Sequence, residues 1–287
     1  MRAGDTRRPD RVEPFMSEET QLPVTSSHEP EWTSDACDFY RNVLSVLVDS
    51  PCAIGGAFAL QKHTGIWRAT KDLDLLLPPS EVAPALRRLR DSGFETRIED
   101  SVWLAKVQRG EYIVDLITGI SNACLIVDHS WMERSISDEV LGIPCKVLAA
   151  EELIASKIFI SRRERFDGAD VAHLLRRCGE RLDWDHLLQL SESHWQLFYW
   201  SLVLFAYIYP AHTDIVPSTI WQQLTDRFRT EVQHPQKNAP SRGSLVDPLM
   251  FAIDVNEWGE RDLYREYRES HPCLLRIEEE ERKETNR

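Results

Sequence analysis

The sequence predicts an α+β fold, in which a small mixed β-sheet with flanking helices is followed by an all-α C-terminal region. Two observations support this prediction. Short aliphatic segments bounded by glycine, proline or charged residues lie between residues 52 and 147. From residue 149 onwards, apolar residues recur at helical spacing, with breaks at Gly179, Pro210 and Pro217. We therefore expect the sheet first and the helices after it.

Composition divides the chain into four parts. Residues 1–34 are rich in arginine, acidic residues and proline and show no apolar period, which predicts a flexible N-terminal arm. Residues 35–148 would form the sheet-containing core, residues 149–276 a helical C-terminal domain, and residues 277–287 a charged tail. The acidic run at the start of this tail fits either a solvated helix or a frayed end.

The predicted elements mix helices and strands up to residue 147 and are helical afterwards. We expect Ser80 to cap its helix, because a serine side chain can accept a hydrogen bond from the first free amides. In chain order the elements are a helix over 35–48, a strand at 52–54, a helix over 57–63, a strand over 71–77, a helix over 80–93, strands over 94–98, 102–107 and 112–117, a hairpin over 140–147, and helices over 149–161, 171–178, 184–190, 195–207 and 218–228.

Charge and composition restrict the partners. The 34 basic and 47 acidic residues give a formal charge of −13. This charge disfavours broad electrostatic capture of nucleic acid and leaves only a specific acceptor such as tRNA. Six scattered cysteines without a Cys-x-x-Cys pair indicate reduced thiols. We see no secretory signal and no apolar run long enough to cross a bilayer, so we expect a cytoplasmic protein.

Three aspartates carry the strongest chemical signal. Side chains alternate along a strand, so Asp72 and Asp74 project from one face while Leu73 and Leu75 turn to the buried face. Asp115 lies in another strand-like segment. Carboxylates that face one another repel, and hard cations such as Mg²⁺ relieve that repulsion. The pattern therefore predicts a metal site.

A glycine pair precedes these acids. Gly55 and Gly56 follow a short strand and open a helix. Glycine permits close approach of the backbone to a ligand, and the helix start adds amide donors and a dipole that favours an anion. We interpret the pair as a phosphate-binding turn.

With Gly-Gly, Asp-x-Asp and a later strand aspartate in this order, the chain resembles the polymerase-beta-like nucleotidyltransferase superfamily, whose minimal fold is a small mixed sheet with helices. A longer pattern resembles the abortive-infection-type (AbiEii-like) branch, which includes toxin-like enzymes. The resemblance covers roughly residues 36–178, and the C-terminal third carries no matching motif. The matching residues are Gly55-Gly56-Ala57, His63-x-Gly65, Arg68-x-Thr70-x-Asp72-Leu73-Asp74, Glu151-Glu152 with Lys157, and Arg165-x-Asp167-x-x-Asp170.

The resemblance implies an enzyme that transfers a nucleoside monophosphate from an NTP, ATP included, to a hydroxyl on a small molecule, protein or RNA, with release of pyrophosphate. It also implies two Mg²⁺ or Mn²⁺ ions. Asp72 and Asp74 would bind both ions, while Asp115 would complete the ion that activates the hydroxyl and could serve as its base.

Further residues are implied in nucleotide binding. Arg68 would make a forked phosphate contact, Thr70 belongs to the same motif, and Lys71 would act as a point charge although it alternates to the face opposite Asp72. Lys157 would reach nucleotide phosphates, with a snorkelling lysine as the alternative.

Two further aspartates belong to the matching string. Asp167 would face the site. Asp170 would pair with Arg165 or cap its helix locally.

One other class of function stays open: a catalytically inactive relative that retains the fold as a binding or partner protein. A sugar-nucleotide glycosyltransferase leaves the glycine pair and Asp115 without a role. A phosphatase with a nucleophilic aspartate requires a threonine where this chain has Leu76.

Overall fold

The computed structural model describes residues 33–68, 70, 72–120 and 124–285. The first 32 residues of the expected N-terminal arm, and Lys71, lie outside the described residues. In the described part, seven strands form one mixed sheet, and the predicted α+β fold is confirmed. The strands are β1 (Ala53–Ile54), β2 (Asp72–Leu76), β3 (Glu95–Asp100), β4 (Leu104–Arg109), β5 (Tyr112–Ile117), β6 (Ile136–Val140) and β7 (Ile143–Val147).

Helices flank the sheet and make up the described chain after residue 149, apart from connecting loops and short 3₁₀ turns. They are α1 (Ser34–Val46), α2 (Gly56–Thr64), α3 (Pro79–Asp91), α4 (His129–Arg134), α5 (Ala150–Lys157), α6 (Gly168–Cys178), α7 (Trp184–Ser191), α8 (Trp195–Ile208), α9 (Ser218–Gln233), α10 (Gly243–Val246), α11 (Ala252–Asn256), α12 (Leu263–Ser270) and α13 (Leu274–Thr285). None of the described helices combines the length and apolarity that a membrane span requires.

The strand order is β3-β4-β5-β2-β1-β7-β6. β2 and β5 lie at the centre and run parallel, with Asp74 opposite Asp115. β4 pairs antiparallel with the other edge of β5 and places Lys106 opposite Asp115. Leu73 and Leu75 are fully buried on the other face of β2. The sheet therefore brings the two acidic segments side by side.

Several predicted boundaries differ from the structure: the hairpin expected over 140–147 begins at Ile136, and the helix expected over 218–228 continues to Gln233. Two further differences have local reasons. α3 begins at Pro79, with Pro78 rather than Ser80 at the capping position. Proline suits the first helical position, since it lacks an amide hydrogen that would have no helical partner there. α5 ends at Lys157 rather than near Ser161, because the chain turns there and Ser161 forms an isolated bridge with Phe166. This turn creates the 158–167 loop.

The C-terminal end of the chain returns to the sheet. The acidic run lies in α13, a helix that packs against α3, and Arg90 Nη2 lies 2.5 Å from Glu278 Oε1. The Leu274 amide donates to the Ser101 carbonyl at 2.7 Å. Arg268 forms a two-pronged pair with Asp100 at 2.9 and 3.1 Å. The turn between β3 and β4 is therefore held by α12 and α13.

Candidate functional site

Three aspartates meet on one face of the central strands. Asp72 and Asp74 project from β2, and Asp115 projects from the adjacent parallel strand β5. One carboxylate oxygen from each lies within 4.8 Å of the other two. We call these residues the acidic triad. The structure thus brings together the three residues that the sequence predicts as metal ligands.

The acidic triad has little neutralising charge of its own. Lys106 Nζ lies 3.3 Å from Asp115 Oδ1, yet this buried oxygen has no hydrogen bond of good geometry. Burial, and then the charges of Asp72 and Asp115, raise the pKa of Asp74 to about 7. Burial also raises the pKa of Asp115, although Lys106 opposes that rise. These carboxylates are under-compensated by the protein.

The glycine pair lies directly against Asp74. The Gly55 amide donates to the Asp74 carbonyl at 2.9 Å. Gly56 begins α2 with φ of +53°, and a β-carbon at this position would overlap Asp74 Oδ2. Only glycine satisfies both the left-handed backbone and this close approach. The pair therefore shapes the position of the carboxylate, whether or not a phosphate binds there.

Thr70 contacts the acidic triad. Its hydroxyl makes a short hydrogen bond to Asp72 Oδ1 and also reaches the Asp72 carbonyl at 3.1 Å. The sequence associates Thr70 with nucleotide binding, whereas the structure shows it fixing the orientation of Asp72. The neighbouring residue Lys71 lies outside the described residues.

A second group of charges lies beside the acidic triad. Lys157, at the end of α5, donates to Asp167 Oδ2 and Asp170 Oδ2, both at 2.7 Å. Arg68 Nη1 lies 2.9 Å from Asp170 Oδ2 and 3.6 Å from Asp167 Oδ1. Arg165 donates from Nε and Nη2 to the two oxygens of Asp167 at 3.1 and 3.2 Å. We call these five residues the ion cluster.

The ion cluster corrects one detail of the sequence interpretation, because Asp170 pairs with Lys157 and Arg68, not with Arg165. The side chain of Lys157 is 3% exposed, and its amine donates to the two aspartates. Burial alone would raise the pKa of Asp167, but Lys157 and Arg165 overcome it and hold that pKa far below its usual range. Both carboxylates in this cluster are satisfied.

Both groups line one cavity of about 490 Å³, a size within the usual range for small-molecule sites. Of the predicted residues, Gly55 and Asp170 lie just behind the wall, since neither lines the cavity itself. The polar wall comprises Gly56, Arg68, Thr70, Asp72, Asp74, Asp115, Gly119, Ser156, Lys157, Glu164, Arg165 and Asp167. The apolar wall comprises Ala57, Leu76, Trp103, Ile117, Ile120, Ile160 and Phe166.

Sequence reasoning left several residues of this site unassigned, and four of them matter for its charge and shape. Lys106 is identified only by the strand register that places it opposite Asp115. Trp103 follows from the turn before β4, and Phe166 from the 158–167 loop. Arg165 belongs to the sequence pattern Arg165-x-Asp167-x-x-Asp170, but that pattern does not show that Arg165 makes a bidentate contact with Asp167.

Comparison with known proteins gives similarity in structure only. No protein-family model matches the chain, and no curated protein matches it. ANT(2")-Ia in complex with adenylyl-2"-tobramycin is 14% identical and has a TM-score of 0.33, with 44% of this chain and 76% of that chain covered. The lincomycin-bound lincosamide antibiotic adenylyltransferase LnuA is 11% identical and has a TM-score of 0.35, with 50% and 96% covered.

A third similar structure is an antigenic nucleotidyltransferase-like protein from Paracoccidioides brasiliensis. It is 18% identical, has a TM-score of 0.34, and 58% of this chain and 92% of that chain are covered. The similarity of these three solved structures to this chain is one of structure alone, at low sequence identity.

Proposed function

We propose that this protein is a metal-dependent nucleotidyltransferase that transfers a nucleoside monophosphate from an NTP to a hydroxyl acceptor and releases pyrophosphate. One observation carries the proposal. Three carboxylates on adjacent parallel strands converge within 4.8 Å and line a cavity of about 490 Å³. The acceptor is a small molecule, a protein or an RNA.

The acidic triad fits divalent metal ions. Its oxygens are the donors that Mg²⁺ and Mn²⁺ prefer. A buried Asp115 oxygen without a good hydrogen bond and an Asp74 pKa of about 7 both mark a site that lacks positive charge. Asp72 and Asp74 would hold two ions, and Asp115 would complete one of them. When bound, such ions neutralise phosphate charge and lower the pKa of a hydroxyl.

The residues of the chain supply positioning and proton transfer. Thr70 and Gly56 fix Asp72 and Asp74, and Lys106 holds Asp115 on its strand. In the proposed reaction the acceptor oxygen forms a bond to the α-phosphorus while the bond to the β-phosphate oxygen breaks. The hydroxyl proton passes to Asp115, and pyrophosphate leaves with the electron pair. Such chemistry depends mainly on alignment and charge neutralisation.

The finer assignments are part of the same proposal. Placement in the AbiEii-like branch is supported by the spacing of the matching string, and a toxin-like role would follow from that placement. The choice of ATP among the NTPs, and a cytoplasmic location where NTPs are available, are likewise inferred.

Label transfer tests the proposal. The purified protein is incubated with Mg²⁺ or Mn²⁺, each labelled NTP and a cell extract, while label incorporation and pyrophosphate are measured. We expect transfer by the native protein and a loss of about 1,000-fold or more in Asp72→Asn/Asp74→Asn, because metal ligation disappears. The matched control is Asp226→Asn, which removes an exposed carboxylate on α9. It should retain full activity.

The opposite outcome is equally defined. If calorimetry detects no NTP binding and no acceptor is labelled, the protein is an inactive relative that acts as a binding partner. Equal activity of native and double-variant proteins would also reject the acidic triad as the site.

A further inference from the structure

The ion cluster contains three cations that differ sharply in exposure. Lys157 is 3% exposed and uses its amine on Asp167 and Asp170. The side chain of Arg68 is 28% exposed and that of Arg165 is 55% exposed. Because both aspartates are already satisfied by the buried lysine, the two arginines retain capacity for a ligand in the cavity.

Arg165 is held in a fixed orientation. Its Nε and Nη2 donate to the two oxygens of Asp167, which is itself fully buried. This forked arrangement fixes the plane of the guanidinium group. An arginine has five N–H donors, so both donors on Nη1 and one on Nη2 have no partner among the described residues. Arg165 lines the cavity beside the acidic triad.

Charge supports a role toward an anion. Burial would lower the pKa of Arg165, but Asp167, and then Asp74 and Asp72, raise it overall. Arg165 lines the same cavity as the metal-binding carboxylates, and its hydrogen bonds go to Asp167 rather than to them. A planar guanidinium with free donors is suited to phosphate oxygens.

We propose that Arg165, oriented by Asp167, binds the pyrophosphate portion of the nucleotide, which is the β- and γ-phosphates before the reaction and the leaving group after it. This inference rests on the proposed function and assigns the subsite that recognises a triphosphate rather than a monophosphate. Lys157 has a supporting role, since its pairs with Asp167 and Asp170 keep Asp167 in place.

Calorimetry in Mg²⁺ buffer tests this subsite with inorganic pyrophosphate, which avoids the unknown base preference. We expect Arg165→Gln to weaken pyrophosphate binding by about 10- to 100-fold, the effect of a lost charged, forked contact. Binding of each NTP should weaken similarly, whereas NMP binding should not change. The pyrophosphate affinity of Arg165→Lys should lie between those of the native protein and Arg165→Gln, because lysine retains the charge without the forked contact.

The loop offers a matched control. Arg163→Gln removes the same charge two residues away, at an exposed position that does not line the cavity. It should bind pyrophosphate as the native protein does. The proposal is overturned if native protein does not bind pyrophosphate, if Arg165→Gln binds it within about twofold of native protein, or if NMP binding weakens equally.

The two proposals fail in different ways. If the native protein transfers label but Arg165→Gln binds pyrophosphate as well as native protein does, the subsite is rejected and the proposed enzyme activity stands. If Arg165→Gln loses pyrophosphate binding but the native protein transfers no label, the polyphosphate-binding site stands and the transferase is rejected.

Discussion

The acidic triad and the ion cluster line one cavity but solve the problem of buried charge differently. In the ion cluster, Asp167 and Asp170 share Lys157 and two arginines, so both carboxylates have cationic partners within the protein. In the acidic triad, Lys106 faces Asp115, and the pKa of Asp74 rises to about 7. Carboxylates with cationic partners indicate structural support, whereas under-compensated carboxylates indicate a site that a ligand completes.

Removing the central cation should have the largest effect on stability. Lys157→Met leaves two buried carboxylates without their lysine, and we expect the free energy of unfolding to fall by about 4 kcal/mol. Urea denaturation measures this change. Lys62→Met is the matched control, because Lys62 pairs with Asp138 near the surface at 2.9 Å and should cost less than about 1 kcal/mol. Equal losses in the two variants would contradict the comparison.

Neutralising one member of the acidic triad should have the opposite sign. In metal-free protein the pKa of Asp74 is about 7, above its unfolded value of 3.8. The contribution of Asp74 to the stability of the native protein is therefore fully present below about pH 4 and is lost as the pH rises to 7. Asp74→Asn should raise the free energy of unfolding by about 4 kcal/mol at pH 8 in EDTA, as measured by urea denaturation.

Metal ions should reverse the greater stability that Asp74→Asn has in EDTA. Mg²⁺ stabilises native protein through binding, and it should stabilise the Asp74→Asn variant less. The interpretation fails if Asp74→Asn is destabilising in EDTA at pH 8 and equally responsive to Mg²⁺.

A buried histidine contributes an opposing pH effect. Burial, followed by the charge of Arg242, lowers the pKa of His194 to about 4 from 6.5. Below pH 6.5 the unfolded chain binds the proton first, so stability is present above 6.5 and is lost down to pH 4. His194→Gln removes this effect, so the free energy of unfolding should fall by about 3 kcal/mol less between pH 7 and pH 4 than it does in the native protein.

Urea midpoints between pH 4 and 7 measure that difference. His186→Gln serves as a comparison, because His186 is only partly buried and lies beside Glu152, with its Nε2 2.8 Å from Glu152 Oε1. If the stability of His194→Gln falls with decreasing pH as steeply as that of the native protein, another group causes the loss of stability in acid.

The smallest effect concerns the residue behind a metal ligand. Thr70→Val removes the hydroxyl that binds Asp72, and we expect Mg²⁺ affinity to fall about 10-fold, or about 1.4 kcal/mol. Calorimetry measures the affinity. Thr225→Val, which removes a hydroxyl paired with Tyr199 on the helical side, should leave Mg²⁺ binding unchanged. Unchanged affinity in Thr70→Val would assign that hydroxyl to folding alone.

The acidic triad could be predicted because it depends on local rules. Strand alternation places Asp72 and Asp74 on one face, and Asp115 lies in a segment whose bounds, 112–117, match β5. The ion cluster depends on a turn after Lys157 that helical periodicity does not encode. Pairing of Arg165 with Asp167 and of Lys106 with Asp115 requires side-chain direction and strand register, which the sequence alone leaves open.

The contacts that α12 and α13 make with the turn between β3 and β4 can form only late in synthesis of the chain. Asp100 and Ser101 are held by Arg268 and Leu274, and Trp103 of the same turn lines the cavity. A ribosome finishes the acid-bearing strands more than 150 residues before it delivers Leu274. The three aspartates are therefore synthesised long before α12 and α13 can contact the turn. The part of the cavity wall that includes Trp103 is completed only late in translation.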